Sequence, residues 1–84
     1  MPESIEERVI AIVADQFGVE AGDVTRDSRF VADLNADSLD SVELCMELED
    51  EFDVDIDDKQ AQKMPTVGAT IDWIAERLTA RGEA

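Results

Sequence analysis

The chain has 84 residues, which is enough for one domain spanning 1–84 and too little for a catalytic cleft between two domains. It carries 22 Asp and Glu residues against 7 Lys and Arg, and the net charge of −15 excludes binding to nucleic acid by phosphate neutralisation and predicts basic partners. Hydrophobic residues make up 44% of the chain, so we expect a folded domain in spite of this charge. Histidine, the usual proton shuttle near neutral pH, is absent, and we expect no enzymatic activity.

Cysteine content and hydropathy bear on the cellular location. The single cysteine excludes an internal disulfide and is typical of a reducing compartment. The longest apolar run, Val9 to Ala14, is too short to cross a membrane, and the acidic start of the chain resembles no targeting peptide. We therefore expect a cytoplasmic monomer with no membrane-spanning segment.

The first predicted element is a helix from about Ser4 to Phe17. Ser4 and Glu7 have the spacing of a capping box, apolar residues recur at helical intervals, and Gly18 is a natural stop. Residues 19–36 predict a long loop, and connections of that length are often functional. We expect four apolar side chains to pin it to the core: Val19, Val24, Phe30 and Leu34.

The second predicted helix opens at Asp37 and Ser38 and ends at about Phe52. Val54 and Ile56 then alternate with aspartates, but a lone strand would have no partner, so we predict an extended anchor.

Two further helices are predicted in the last third of the chain. Asp57 or Asp58 can cap a short helix through Met64, which Pro65 ends. Thr66 can cap the last helix, which finishes near residue 82. Its apolar face is formed by Val67, Ile71, Ile74 and Leu78. The predicted fold class is therefore all-α: a small bundle of three main helices and one short helix, with a long loop between the first two.

The second helix divides into an acidic and an apolar side. At about 100° per residue, five acids fall within one sector of about 100°, which we call the acidic stripe. Its members are Asp40, Glu43, Glu47, Asp50 and Glu51. The apolar arc is wider than a surface helix needs, so we expect Leu44, Leu48 and Phe52 to be buried and Leu39 and Met46 to be exposed at its edge. This pattern favours docking of a basic partner, and a solvated charged face is the alternative.

Ser38 stands at the entrance of this helix. A serine there is ordinarily an N-cap. Here it follows the long loop and small Ala36, where another enzyme could reach the hydroxyl. With no base of its own, Ser38 is better placed to be modified than to attack a substrate.

Residues 33–44 read Asp-Leu-Asn-Ala-Asp-Ser-Leu-Asp-Ser-Val-Glu-Leu. This stretch resembles the signature of the acyl carrier proteins, in which Asp-Ser-Leu marks the serine that receives 4′-phosphopantetheine. The similarity continues through the second helix, the segment 53–57 and the start of the last helix, and covers nearly the whole chain. Three departures lie outside the attachment site: Asn35 replaces a usual glycine, Asp57 a common proline, and Pro65 a small polar residue.

The resemblance implies a carrier and not an enzyme. In the family, a phosphopantetheinyl transferase with Mg²⁺ moves the arm from coenzyme A onto the serine, here Ser38, and the arm's thiol holds acyl groups as thioesters. Ketosynthases, reductases, dehydratases and acyltransferases use basic patches of their own to dock on the carrier's second helix. By matching positions, the recognition residues are Asp37, Leu39, Glu43, Met46 and Glu47. An acyl pocket would be lined by Val42, Cys45, Leu48 and Ile71. Fatty acid synthesis is favoured, with a polyketide or other specialised pathway as the alternative.

Two rivals come from other classes. A calcium module is suggested by the aspartates from Asp33 and from Asp53, but neither loop has glycine at its sixth or glutamate at its twelfth position, so we predict no metal site. An acidic interaction domain without the arm, with Ser38 only a cap, stays open. We expect Cys45 to be a small buried hydrophobe and Trp73 to be half exposed.

Overall fold

The computed structural model describes residues 4–82, which fold into four α-helices. These are α1 (Ile5–Phe17), α2 (Ser38–Phe52), α3 (Asp58–Gln62) and α4 (Val67–Ala80), and a 3₁₀ turn, Ala21–Asp23, lies in the loop after α1. Within residues 4–82 there is no β-strand, and a single antiparallel bridge joins Arg29 to Thr66. The predicted all-α class and the four helices are confirmed.

The ends of α1 follow the sequence signals. The Ser4 hydroxyl accepts a hydrogen bond from the Glu7 N–H at 3.1 Å, and the Glu7 carboxylate accepts one from the Ser4 N–H at 3.4 Å. Gly18 ends the helix in the left-handed region at φ 66°, which costs a glycine nothing, and its N–H bonds the Ala14 carbonyl. The predicted start and end of α1 are confirmed.

The core lies where α1 packs against both α2 and α4. Each helix contributes an apolar stripe, and burial of one such side chain stabilises the fold by roughly 1.5–3 kcal/mol. Leu44, Leu48 and Phe52 supply the stripe of α2, at 5%, 1% and 3% exposure, as predicted. The predicted face of α4 is buried as well: Val67, Ile71, Ile74 and Leu78.

The loop between α1 and α2 is fixed against the start of α4. The first N–H groups of a helix have no partner inside that helix. Here loop carbonyls accept them: Val67 donates to Ser28 at 3.0 Å, and Gly68 donates to Arg26 at 2.9 Å. A Cβ atom on Gly68 would lie 2.9 Å from the Arg26 carbonyl oxygen, so this approach requires glycine. These contacts join distant parts of the chain and had no signal in the sequence.

Three of the four predicted anchors of this loop are inside the protein. Val24 and Phe30 are buried, and Leu34 is half-buried. The prediction for Val19 is wrong, because this side chain is 38% exposed. The Val19 N–H bonds the Ala14 carbonyl at 3.0 Å, so this residue completes the end of α1 and does not anchor the loop.

Segment 53–57 is the predicted extended anchor. Val54 and Ile56 are buried without belonging to a strand. The Ile56 N–H donates to the Glu49 carboxylate at 2.9 Å, which ties the segment to α2.

Helix α3 is shorter than predicted. Asp57 caps it by accepting the Gln60 N–H at 2.7 Å. It ends at Gln62 and not at Met64, because the Met64 N–H bonds only three residues back, to Ala61 at 3.1 Å. A residue that precedes proline avoids the helical region, so Pro65 acts earlier than expected.

Helix α4 begins and ends close to the predicted residues. Thr66 caps the helix by accepting the Ala69 N–H at 3.1 Å, as predicted. Trp73 is half-buried, also as predicted, and the Arg77 guanidinium lies 4.9 Å from its ring centre. The helix ends at Ala80, near the predicted end.

Candidate functional site

The entrance of α2 is capped by Asp37 and not by Ser38. The Asp37 carboxylate accepts the Asp40 N–H at 2.8 Å, and the Asp40 carboxylate accepts the Asp37 N–H at 3.2 Å. This reciprocal pair is a capping box that satisfies two backbone donors. Ser38 is therefore the first residue inside the helix, and the ordinary capping role of a serine at this point does not apply to it.

A left-handed residue directs the loop into this entrance. Asn35 has φ 56°, and asparagine tolerates this region better than most side chains do, as expected for the residue that replaces the family's glycine. The next residue, Ala36, is buried, and its N–H donates to the Phe30 carbonyl at 2.8 Å. The chain is thus anchored two residues before Ser38.

The Ser38 hydroxyl is exposed and makes no hydrogen bond with any residue in 4–82. Buried Ser28 is different, because its hydroxyl accepts the Thr25 N–H at 3.0 Å. The neighbouring carboxylates of Asp37 and Asp40 are engaged in the capping box. Ser38 thus offers an accessible hydroxyl without an activating base, which suits modification by another enzyme.

Ser38 also lines a cavity of about 620 Å³ that is open to solvent. Most lining side chains are apolar, and they come from the end of α1, the loop, α2, α3 and α4. Of the predicted pocket residues, Val42, Cys45 and Leu48 line this cavity. Ile71 does not: it is buried in the core, and Thr70, one residue earlier on α4, faces the cavity instead.

Several lining residues were not predicted, because they lie outside α2 and its periodic pattern gives no information about them. Phe30 comes from the loop, Ala61 from α3, and Met64 from the turn before α4. A second cavity of about 160 Å³ lies between α2 and α3 and shares Val42 and Cys45 with the first. Only the packing of the four helices brings these side chains together.

Cys45 is half-buried and not fully buried as expected. Burial is the main cause that raises the pKa of its thiol, and the carboxylates of Glu49 and Asp58 raise it further. A raised pKa keeps the thiol protonated, and the thiolate is the reactive form. Cys45 therefore lines the cavity with a thiol whose reactive form is less populated than in an ordinary cysteine.

Three of the five carboxylates of the acidic stripe have partners within the protein. Glu51 forms an ion pair with Arg8 at 2.6 Å, and Glu43 accepts a hydrogen bond from Gln16 at 3.1 Å. Asp40 belongs to the capping box. The carboxylates of Glu47 and Asp50 make no hydrogen bond or ion pair with another described residue. These two carboxylates are the part of the stripe that is most available to an outside cation.

An exposed apolar ridge runs beside the stripe. Leu39 and Met46 are 64% and 59% exposed, as predicted. Val42 is 54% exposed and was expected only in the acyl pocket. The helical spacing of these three residues places them on one face, and that spacing would have identified Val42. We call Leu39, Val42 and Met46 the apolar ridge.

Comparisons with known proteins identify the family of this chain. Residues 7–74 match the family model described as "Phosphopantetheine attachment site", and this range contains Ser38, the acidic stripe and the apolar ridge. The structure is similar to that of the acyl carrier protein from Enterococcus faecalis, with 42% sequence identity and a TM-score of 0.74 over 86% of this chain and 91% of that one. None of the helices within residues 4–82 is long and apolar enough to cross a membrane. The chain therefore belongs to the acyl carrier proteins of the phosphopantetheine-attachment family, whose covalently bound cofactor is 4′-phosphopantetheine.

Proposed function

We propose that this protein carries growing acyl chains in fatty acid synthesis on an arm attached to Ser38. The observation that carries the proposal is the accessible Ser38 hydroxyl, free of hydrogen bonds within residues 4–82, beside an apolar cavity in a chain of this family. The negative charge and the single cysteine support a cytoplasmic monomer.

Attachment requires a partner enzyme. The Ser38 oxygen forms a phosphodiester with the pantetheine phosphate of coenzyme A, the pyrophosphate bond breaks, and the adenosine 3′,5′-bisphosphate leaves. The hydroxyl proton passes to a base of the transferase, because the carboxylates of the neighbouring Asp37 and Asp40 are engaged in the capping box. When bound, the arm supplies a terminal thiol that holds the acyl group as a thioester.

The cavity fits the proposed cargo. Its walls include Val42, Cys45 and Leu48, and an apolar wall shields an acyl chain from water. Its volume of about 620 Å³ is within the range of ligand pockets, which is roughly 300–1,000 Å³. The raised pKa of the Cys45 thiol lowers its thiolate fraction and so disfavours its competition for the acyl group.

The outer face of α2 fits the proposed partners, which are the transferase and the synthase enzymes: ketosynthases, reductases, dehydratases and acyltransferases. Glu43 and Glu47 attract basic patches, whereas Leu39 and Met46 supply apolar contact area, and Asp37 borders the attachment site. The chemistry takes place on those enzymes, so we propose that this chain has no catalytic activity.

Mass spectrometry tests the attachment site. After incubation with coenzyme A, Mg²⁺ and a broad-specificity phosphopantetheinyl transferase, we expect the wild type to gain the mass of one arm. Ser38→Ala should gain none. Ser41→Ala is the matched control, since this serine lies one turn further along α2, and it should be modified like the wild type. An arm on Ser38→Ala, or an unmodified wild type, would overturn the proposal.

Reconstitution tests the pathway. The protein with its arm should support chain elongation by purified fatty acid ketosynthase, reductases and dehydratase. Elongation only by a polyketide ketosynthase would assign it to the alternative pathway and leave the attachment at Ser38 intact.

A further inference from the structure

Arg29 is the one cation among the described residues that line the cavity beside Ser38. Three of the other arginines have evident structural partners, in that Arg8 pairs with Glu51, Arg26 with Asp72, and Arg77 stacks on Trp73. Arg29 is different, because its only ion pair within 4–82 is a long one. Its Nε lies 3.4 Å from the Asp33 carboxylate.

The backbone of Arg29 is held in place while its side chain remains available. Arg29 forms the antiparallel bridge with Thr66, and its own N–H donates to the Asp33 carboxylate at 2.8 Å. The side chain is 63% exposed. Its two terminal amino groups make no hydrogen bond with any residue of the described range. A residue that lines the cavity thus combines a fixed backbone with unused side-chain donors.

The chemistry of the guanidinium defines what these donors can bind. Its planar fork matches the two oxygens of a carboxylate or a phosphate, and such bidentate pairs are among the stronger hydrogen bonds in proteins. The lining residues otherwise include a single charged group, Asp58, which would repel an anion. Arg29 is therefore the residue of this cavity that can hold a negatively charged part of the cargo.

We propose that Arg29 binds an anionic oxygen group of the carried molecule. Two sources have this chemistry: the phosphodiester next to Ser38, and a carboxylate at the end of a short acyl group. The inference rests on the proposed attachment at Ser38. It makes Arg29 a positioning residue, and a specificity residue if the carboxylate is the ligand.

The test compares loaded forms of one protein. Wild type, Arg29→Gln, Arg29→Lys and Lys63→Gln are each prepared without the arm, with the arm, with an acetyl group and with a malonyl group. Mass spectrometry of every sample verifies loading, so a failure of the attachment at Ser38 is seen separately and first. Lys63→Gln is the control, because it removes the same charge at an exposed site outside the cavity lining. The readouts are the rise in melting temperature on loading and the ¹⁵N resonance of the Arg29 guanidinium.

The two sources give different results. If the phosphodiester is the ligand, all loaded wild-type forms gain a few °C over the unloaded form, and Arg29→Gln loses this gain in each. If the carboxylate is the ligand, the extra gain appears with malonyl and is missing with acetyl. Arg29→Lys should retain part of the gain, since it keeps the charge without the fork. Equal gains in Arg29→Gln and Lys63→Gln, together with an Arg29 resonance that loading does not shift, would overturn the proposal.

Discussion

Helices α2 and α4 have similar lengths and both bury one apolar stripe, but their outer faces differ. On α4, Asp72 receives two hydrogen bonds of 2.8 Å from Arg26, which also pairs with Glu6 of α1 at 3.3 Å. On α2, Glu47 and Asp50 have no such partner within the described chain, and the apolar ridge is exposed. Arg8 and Arg26 therefore support the packing, and the carboxylates of Glu47 and Asp50 on the outer face of α2 are left unneutralised within residues 4–82.

The two ends of α2 show the same division. At its C-terminal end, Arg8 donates to the Glu51 carbonyl at 3.2 Å, and Arg81 donates to the carbonyls of Phe52 and Asp53. Cations at this end satisfy free carbonyls and complement the helix dipole. At the N-terminal end, no Lys or Arg of residues 4–82 forms an ion pair or side-chain hydrogen bond with Asp37, Ser38 or Asp40. One end of the helix is thus used for stability, and the other is open for function.

The largest expected effect is a difference in the free energy of unfolding between a substitution on the inner face of α2 and one on its outer face. Leu48→Ala should lower the free energy of unfolding by about 2–5 kcal/mol, because it removes a side chain that is 1% exposed and leaves a cavity. Met46→Ala, on the same helix at 59% exposure, should change it by less than about 0.5 kcal/mol. Urea denaturation measures both. Similar losses would show that the apolar ridge also supports the fold.

The next effect concerns the contact between the loop and α4. Gly68→Ala should lower the free energy of unfolding by about 1–3 kcal/mol, since the new methyl group meets the Arg26 carbonyl at 2.9 Å. Alanine would otherwise stabilise a helix relative to glycine. Gly22→Ala is the control, because a Cβ there meets nothing within 4 Å. A Gly68→Ala variant as stable as the control would refute the close approach.

Charge reversal tests whether the difference between the outer faces matters to partners. Glu47→Lys should lower the kcat/KM of a docking ketosynthase by on the order of tenfold, and the loss should shrink as salt screens the charges. Glu76→Lys makes the same change in net charge on the outer face of α4 and should have little effect. Equal losses in both variants would mean that net charge, and not the acidic stripe, governs docking.

The smallest effect concerns Cys45, at the boundary of the two faces of α2. Burial raises the pKa of its thiol, so less thiolate is present at a given pH than in the unfolded chain. Alkylation by iodoacetamide at pH 8 should therefore be slower in the folded protein than in urea. The folded state holds this proton more tightly, so the contribution to stability is present at neutral pH and is lost as the pH rises through the alkaline range. Equal alkylation rates would contradict this.

Local signals in the sequence predicted most of the helices and their ends. Helix caps form hydrogen bonds within a few residues of their own positions, so they can be inferred from spacing. This holds for the N-caps Ser4, Asp57 and Thr66 and for the C-cap Gly18. The end of α3 was misplaced because the effect of Pro65 on the preceding residue was underestimated. The N-cap of α2 is Asp37 and not Ser38, because the Asp37 carboxylate forms the reciprocal pair with Asp40.

The cavity was harder to predict than the helices. Val42, Cys45 and Leu48, which the resemblance implied for an acyl pocket, line the cavity, and they lie on one helix whose register follows from its pattern. Thr70 lines the cavity in place of Ile71, since the rotation of α4 relative to α2 depends on how the two helices pack. Phe30 and Met64 were missed, because their approach depends on the loop and not on any periodicity.

The sequence by itself determined the family, the all-α class, the acidic stripe and the identity of Ser38 as the residue to test, because these follow from local pattern and from a continuous motif. Only the tertiary structure decided which acids are paired, that Arg29 shares a cavity with Ser38, and that Gly68 must approach the Arg26 carbonyl. These features join residues distant in the chain, and the free energy that brings them together comes from burial of the common core.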